Sequence, residues 1–150
     1  MNRTIRMALT KGRIEKGAVS LLEAAGYGCA GLRDKGRRLI VPTDGGEIDV
    51  VFAKAADVIT YVETGACDIG IVGKDTILEN GSSFYEMADL GIGRCRMVLA
   101  APKGSDFFSG YAARRVASKY PKIAADYFSR KQMDVGIIKI EGSVELGPVL

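Results

Sequence analysis

The strongest constraint on the fold is a regular alternation of short apolar runs with segments of helical spacing. Thr4–Leu9 has the length and composition of a strand, and Ile14–Ala25 carries apolar residues on one stripe of a helix that ends at Gly26. The same order returns when a helical segment at Ala55–Glu63 is followed by Ile69–Val72, an entirely apolar run typical of a buried parallel strand. The pattern therefore predicts an α/β protein with mainly parallel sheets.

Further elements extend this pattern along the chain. Leu39–Val41 and Ile48–Phe52 are β-branched runs separated by the turn signal Asp44-Gly45, and we expect two connected strands there. Two helices are predicted at Thr76–Glu79 and Ile123–Lys131, and three strands at Arg96–Ala101, Arg115–Ser118 and Val135–Ile140. Proline, glycine and charged residues follow one another after residue 101, which predicts two lobes, 1–101 and 102–150.

Composition excludes several functional classes. The 150 residues include no histidine, so serine and cysteine triads are disfavoured and no metal site is predicted. The three cysteines form no CxxC pair, which favours a reducing cytoplasm. A net charge of +3 is too small to predict nucleic-acid binding, and no apolar stretch reaches the roughly 18 residues of a membrane span. We expect a cytoplasmic protein that binds neither nucleic acid nor membrane.

A cationic loop follows the first predicted strand. Lys11, Gly12 and Arg13 join that strand directly to a helix. Gly12 allows close approach to the backbone, the helix start offers unpaired N–H donors, and the two side chains supply positive charge. These features predict an anion site with phosphate as the expected ligand. Solvation of an ordinary loop explains the same residues equally well.

A second cationic segment precedes the strand at Leu39. It places Arg33, Lys35, Arg37 and Arg38 within six residues, enough charge to clamp a polyanion through bidentate guanidinium contacts. A solvated, charged hairpin is the commoner explanation of such a run. The functional interpretation gains weight only if the segment folds toward Arg13.

The weaker candidates lie at or just after the end of a predicted strand, where open parallel sheets bind ligands. They are Gly73, Ser118, Lys119, Tyr120, Ser143 and Glu145. Lys119 could contact a phosphate and Tyr120 could stack on a base. Ser143 and Glu145 could hydrogen-bond sugar hydroxyls. A half-buried tyrosine and ordinary turns are the competing explanations.

Five segments together resemble one enzyme family. In chain order they are ALTKGR, RRLIVPT, DIGIVGKD, RVASKYP and EGSVELGP, and they extend over nearly the whole sequence. In this order and spacing they resemble the catalytic subunit of ATP phosphoribosyltransferase, in the short form that works with a separate regulatory subunit similar to histidyl-tRNA synthetase. The resemblance implies two lobes of the type II periplasmic-binding-protein kind with the active site between them. It also implies a homodimer within a hetero-oligomer.

The resemblance implies a reaction as well. The family transfers phosphoribosyl from phosphoribosyl pyrophosphate (PRPP) to N1 of ATP and releases pyrophosphate, the first step of L-histidine biosynthesis, with substrate-bound Mg²⁺. Arg13 and Arg37 match arginines that stabilise the departing pyrophosphate, with Lys11 and Gly12 beside them. The other implied substrate-binding residues are Lys54, Gly73, Ser118, Lys119, Tyr120, Ser143 and Glu145. Lys54 and Ile59 stand where the family pattern has arginine and proline.

One expected part of the family pattern does not occur in the sequence. The PRPP loop should follow GPVL, at the end of the sequence, so we expect a piece of a protein some tens of residues longer. A non-catalytic module of the same fold that binds a small anion or nucleotide is the alternative. An inactive assembly subunit is a third hypothesis.

Overall fold

The computed structural model describes residues 3–81, 84–110 and 113–147. The chain forms two compact units, Met1–Arg94 and Cys95–Leu150. The boundary predicted between residues 101 and 102 therefore falls inside the second unit.

The predicted alternation of strands and helices is confirmed. The first unit contains β1 (Ile5–Thr10), α1 (Arg13–Ala24), α2 (Ala30–Arg33), β2 (Ile40–Pro42), β3 (Ile48–Ala53), α3 (Ala55–Glu63), β4 (Ile69–Ile71) and α4 (Lys74–Asn80). The second unit contains β5 (Arg114–Ser118), α5 (Pro121–Arg130), β6 (Val135–Lys139) and a 3₁₀ turn at Val144–Leu146. No helix in the described ranges is long and apolar enough to span a bilayer.

The first sheet has the strand order β2-β3-β1-β4. The central strand β1 is parallel to both of its neighbours, with Thr10 opposite Ala53 and Leu9 opposite Ile71. The short strand β2 closes the other side of β3 in the antiparallel direction. Because β1, β3 and β4 run the same way, their carboxyl ends meet at one edge, which we call the carboxyl edge of the first sheet.

The core of the first unit covers both faces of β1. Leu9 packs in a buried cluster with Val19 of α1 and Phe52 of β3. Its neighbour Ala8 lies in a second cluster with Val58 of α3. Since successive side chains of a strand point to opposite faces, helices cover the sheet on both sides. This three-layer packing explains why β1 lacks the polar alternation of a half-exposed strand.

The prediction of a strand at Arg96–Ala101 is wrong. The segment has no regular structure, and Met97 and Val98 are 51% and 67% exposed. No strand in the described ranges pairs with it. A strand forms only where a neighbouring strand pairs with its backbone N–H and C=O groups. Among the described residues no strand lies beside this segment, so its apolar composition alone does not make it a strand.

The second sheet consists of β5 and β6, which are parallel and in register from Arg114 opposite Val135 to Ser118 opposite Lys139. Between them, α5 buries Ala124 and Phe128. The ring of Phe107 packs against that of Phe128, with centroids 5.8 Å apart. The predicted strands and helix of this region are confirmed with small shifts of their ends.

Candidate functional site

Three loops meet at the carboxyl edge of the first sheet. The backbone N–H of Lys11 donates to the carbonyl oxygen of Ala53 at 3.0 Å, so Lys11 lies beside the residue that precedes Lys54. The hydroxyl of Thr10 donates to the carbonyl of Ile71 at 3.1 Å and ties β1 to the end of β4. A Cβ on Gly73 would lie 3.6 Å from the Ile14 side chain of α1. The structure thus brings the predicted residues 11–13, 54 and 73 to one edge.

The helices that follow these strands all begin at this edge. α1 begins at Arg13, α3 at Ala55 and α4 at Lys74. Their first N–H groups and the positive ends of their dipoles therefore lie at the carboxyl edge. Gly12 has φ of 98°, a conformation that side chains disfavour, and this explains why glycine stands between the two cations of the loop.

The second cationic segment folds toward the first. The Lys35 ammonium forms an ion pair with Glu15 in the first turn of α1. It also lies 4.3 Å from the centroid of the Phe52 ring. Burial lowers the pKa of Lys35, and the nearby charge of Lys11 lowers it further. The segment that carries Arg37 thus lies against the start of α1, where Arg13 is found, and this favours its interpretation as part of an anion site.

Two cations of the 33–38 segment make contacts that stabilise the fold. Arg33 donates to both carboxylate oxygens of Glu23 on α1, at 2.5 and 2.6 Å. This guanidinium lowers the pKa of the Glu23 carboxyl. Arg38 turns back and donates to the carbonyls of Asp34 and Lys35, at 2.9 and 3.1 Å. Both arginines are therefore committed to structure rather than to a ligand.

Near these two cationic segments, four further cations pair with no carboxylate of the described residues. The exposed residues Lys11, Arg13, Arg37 and Lys54 form no ion pair with any residue in the described parts of the chain. Lys11 and Lys54 directly follow β1 and β3, Arg13 is the first residue of α1, and Arg37 follows the Lys35 contact by two residues. Positive charge without an internal counter-charge, beside several helix starts, favours a bound anion.

The candidates of the second unit lie at the carboxyl ends of β5 and β6. The Ser118 hydroxyl accepts the N–H of Tyr120 at 3.0 Å, which shapes the turn before α5. Lys119 is exposed, and its charge contributes to lowering the pKa of Glu141, although the main cause is the contact of that carboxylate with Lys139. In the described ranges Lys119 itself forms no ion pair, and Glu141 pairs with Lys139.

The remaining two candidates lie in the turn after β6. Ser143 caps the 3₁₀ turn with φ of 50°, in the left-handed region, and Glu145 is an exposed residue within that turn. A non-glycine residue in this conformation is uncommon and is found more often at functional loops.

Sequence reasoning did not single out Glu15. Its carboxylate accepts the N–H of Gly12 at 3.3 Å, which is the glutamate half of a capping box, because the N-cap glycine has no side chain to make the return contact. A glutamate three residues after the N-cap is the signal that predicts such a contact. The ion pair with Lys35 had no comparable sequence signal, because it joins two segments through the tertiary fold.

These features define a class: an α/β protein whose parallel sheet presents unpaired cations and helix starts at its carboxyl edge, as proteins that bind phosphorylated ligands do. Residues 54–150 match the family model described as HisG: ATP phosphoribosyltransferase. The chain belongs to the ATP phosphoribosyltransferase family.

Individual relatives agree with this assignment. A protein of Clostridium kluyveri named ATP phosphoribosyltransferase is 55% identical over 148 residues, which are 99% of this chain and 68% of the relative. A protein of Clostridium acetobutylicum with the same name is 53% identical over 149 residues, which are 69% of that relative. A solved ATP phosphoribosyl transferase (HisG:HisZ) complex from Thermotoga maritima is 30% identical with a TM-score of 0.72, covering 97% of this chain and 68% of that one.

These matches confirm the family predicted from the five segments. They also confirm the fold class, α/β of the type II periplasmic-binding-protein kind with mainly parallel sheets, and the predicted transferase function. The non-catalytic binding module is not favoured, since the relatives are named as transferases.

Proposed function

We propose that the carboxyl edge of the first sheet binds the pyrophosphate group of PRPP, with Arg13 and Arg37 as the catalytic cations. Lys11, Gly12, Lys54 and Gly73 complete the binding surface around them. The observation that carries this proposal is the place of Lys11, Arg13 and Lys54 at one sheet edge where helices begin, with Arg37 two residues beyond the Lys35 contact and with no ion pair from any of the four to a described residue. The reaction is that of the family: phosphoribosyl passes from PRPP to N1 of ATP, giving N1-(5-phosphoribosyl)-ATP and pyrophosphate.

The chemistry asks for charge stabilisation more than for proton transfer. As the bond between ribose C1 and the pyrophosphate oxygen breaks, the ribose gains oxocarbenium character and negative charge grows on the leaving group. Fixed guanidinium groups stabilise that charge without reorganising at the moment of reaction. A chain without histidine can therefore supply the main catalytic element of this transfer.

We assign the remaining substrate contacts to residues of the second unit. We infer that Ser118, Lys119 and Tyr120 contact one substrate through phosphate and base, and that Ser143 and Glu145 bind sugar hydroxyls. Their shared position at the carboxyl ends of β5 and β6 supports this assignment.

Magnesium is proposed to enter with PRPP as part of the substrate. In the described ranges, no three Cys, Asp or Glu side chains come together as a metal site. The side chains at the carboxyl edge are amines and guanidiniums, which do not ligate Mg²⁺. Pyrophosphate oxygens and water are the ligands that suit this ion.

A regulatory subunit is the proposed protein partner. The matched Thermotoga maritima structure is described as a HisG:HisZ complex. By analogy we infer that this chain assembles with a regulatory subunit resembling histidyl-tRNA synthetase, as a homodimer within a hetero-oligomer. We also place the protein in the cytoplasm, because Cys29, Cys67 and Cys95 are free thiols, as is typical of a reducing compartment.

The function is tested by incubating the full-length gene product with ATP, PRPP and Mg²⁺, with and without its regulatory subunit. We expect equal amounts of phosphoribosyl-ATP, measured by mass spectrometry, and pyrophosphate, measured as two phosphates after hydrolysis by added pyrophosphatase. Omission of either substrate is the control. Binding of ATP or PRPP without any product, in the presence of the regulatory subunit, would instead support the binding-module hypothesis.

A further inference from the structure

The Glu15 carboxylate connects the two cationic segments of the carboxyl edge. One of its oxygens accepts the backbone N–H of Gly12 at 3.3 Å, within the loop that carries Lys11 and Arg13. The other oxygen pairs with the ammonium of Lys35, two residues before Arg37. A single side chain thus contacts the segments of both proposed catalytic arginines.

This contact is more buried than the other ion pair between α1 and residues 33–38. The side chains of Glu15 and Lys35 are 18% and 21% exposed, whereas those of Glu23 and Arg33 are 36% and 53% exposed. Solvent and salt screen a partly buried pair less, so its geometry is held more firmly. The Phe52 ring beneath the ammonium restricts Lys35 further.

The charge of Glu15 opposes the proposed ligand. A carboxylate that accepts an N–H of the KGR loop competes with a phosphate oxygen for that donor, and it repels pyrophosphate through space. If direct electrostatics were its only effect, removing the charge would strengthen pyrophosphate binding. A useful role for Glu15 must therefore come from the arrangement of the two segments.

We infer that Glu15 is a positioning residue: through Lys35 it holds the 33–38 segment against the KGR loop, so that Arg37 faces the same leaving group as Arg13. Gly36, with φ of 56°, forms the bend between Lys35 and Arg37, so the orientation of Arg37 depends on where Lys35 is fixed. The inference rests on the proposed role of Arg13 and Arg37.

The test compares Glu15→Gln with Glu23→Gln in the full-length gene product. Both substitutions are isosteric, and each removes one ion pair between α1 and the segment that ends at Arg38. Because a 1 Å misplacement can cost about 100-fold in rate, we expect Glu15→Gln to lower kcat by about 10- to 100-fold and Glu23→Gln to change it by less than about twofold. Pyrophosphate inhibition should weaken only in Glu15→Gln.

Two further variants separate positioning from folding and from direct electrostatics. Lys35→Arg keeps the ion pair and should retain most of the activity, whereas Lys35→Met should behave like Glu15→Gln. In an Arg37→Ala background, Glu15→Gln should have little additional effect, since the residue it positions is gone. Urea unfolding of each variant shows whether it is folded under assay conditions.

Tighter pyrophosphate inhibition in Glu15→Gln, or equal losses in Glu15→Gln and Glu23→Gln, would overturn the inference. A different result would contradict the proposed function: normal turnover in the Arg37→Ala variant. A loss in Arg37→Ala together with normal turnover in Glu15→Gln would leave the function standing and refute the positioning role.

Discussion

Replacing Arg13 by alanine is expected to lower the rate of phosphoribosyl transfer by about 100-fold or more, because loss of one preorganised charge stabiliser typically costs 10²–10³ in kcat. The guanidinium sits at the first position of α1, where it adds to the positive end of the helix. Arg37→Ala should produce a loss of similar size. The measurement is single-turnover formation of phosphoribosyl-ATP at saturating ATP and PRPP.

Arg33→Ala is the matched control for these substitutions. It removes a guanidinium from the same region of the chain, but one already bound to Glu23. Its turnover should stay within about twofold of the unmodified enzyme, as expected for an exposed surface position. Normal turnover in either Arg13→Ala or Arg37→Ala would remove that residue from the catalytic role.

Replacing Leu9 by alanine is expected to destabilise the chain by about 2–5 kcal/mol, the usual cost of a buried leucine-to-alanine change. Leu9 is fully buried in the central strand β1, between partners in β3 and β4. That loss is a large part of the 5–15 kcal/mol by which domains of this size are typically stable. It is measured as the change in the free energy of unfolding in urea.

The comparison for Leu9→Ala is Ile40→Ala on the edge strand β2. Ile40 is 60% exposed, so its truncation should cost less than about 1 kcal/mol. Equal losses at the two positions would mean that β1 is not the centre of the packed core.

Local patterns predicted most of the fold. β1 and α1 were predictable because an apolar run, a glycine-containing loop and a helical stripe occur within one short stretch. Arg96–Ala101 has the same apolar composition as a strand, yet the structure has none there. Strand formation depends on a partner that lies elsewhere in the chain, and composition carries no information about that partner.

The site was predictable in its charge but not in its arrangement. The charge pattern places Arg33, Lys35, Arg37 and Arg38 together and does not rank them, and only the family resemblance singles out Arg37. The fold gives them different partners. Arg33 and Lys35 form ion pairs with Glu23 and Glu15, whereas Arg38 donates to a backbone carbonyl of its own loop. These distinctions arise from contacts between α1 and a segment that is ten to twenty residues away, which spacing alone does not encode.

The most direct test of the central claim is a titration of the full-length gene product with pyrophosphate, followed by the backbone amide signals of each residue. We predict that the signals of residues 11–13 and 36–38 shift together, and that these shifts disappear in the Arg13→Ala/Arg37→Ala double variant. The signals near Glu23 and Arg33 should stay in place in both proteins. Shifts confined to other parts of the chain, or shifts that persist in the double variant, would contradict a pyrophosphate site at the carboxyl edge of the first sheet.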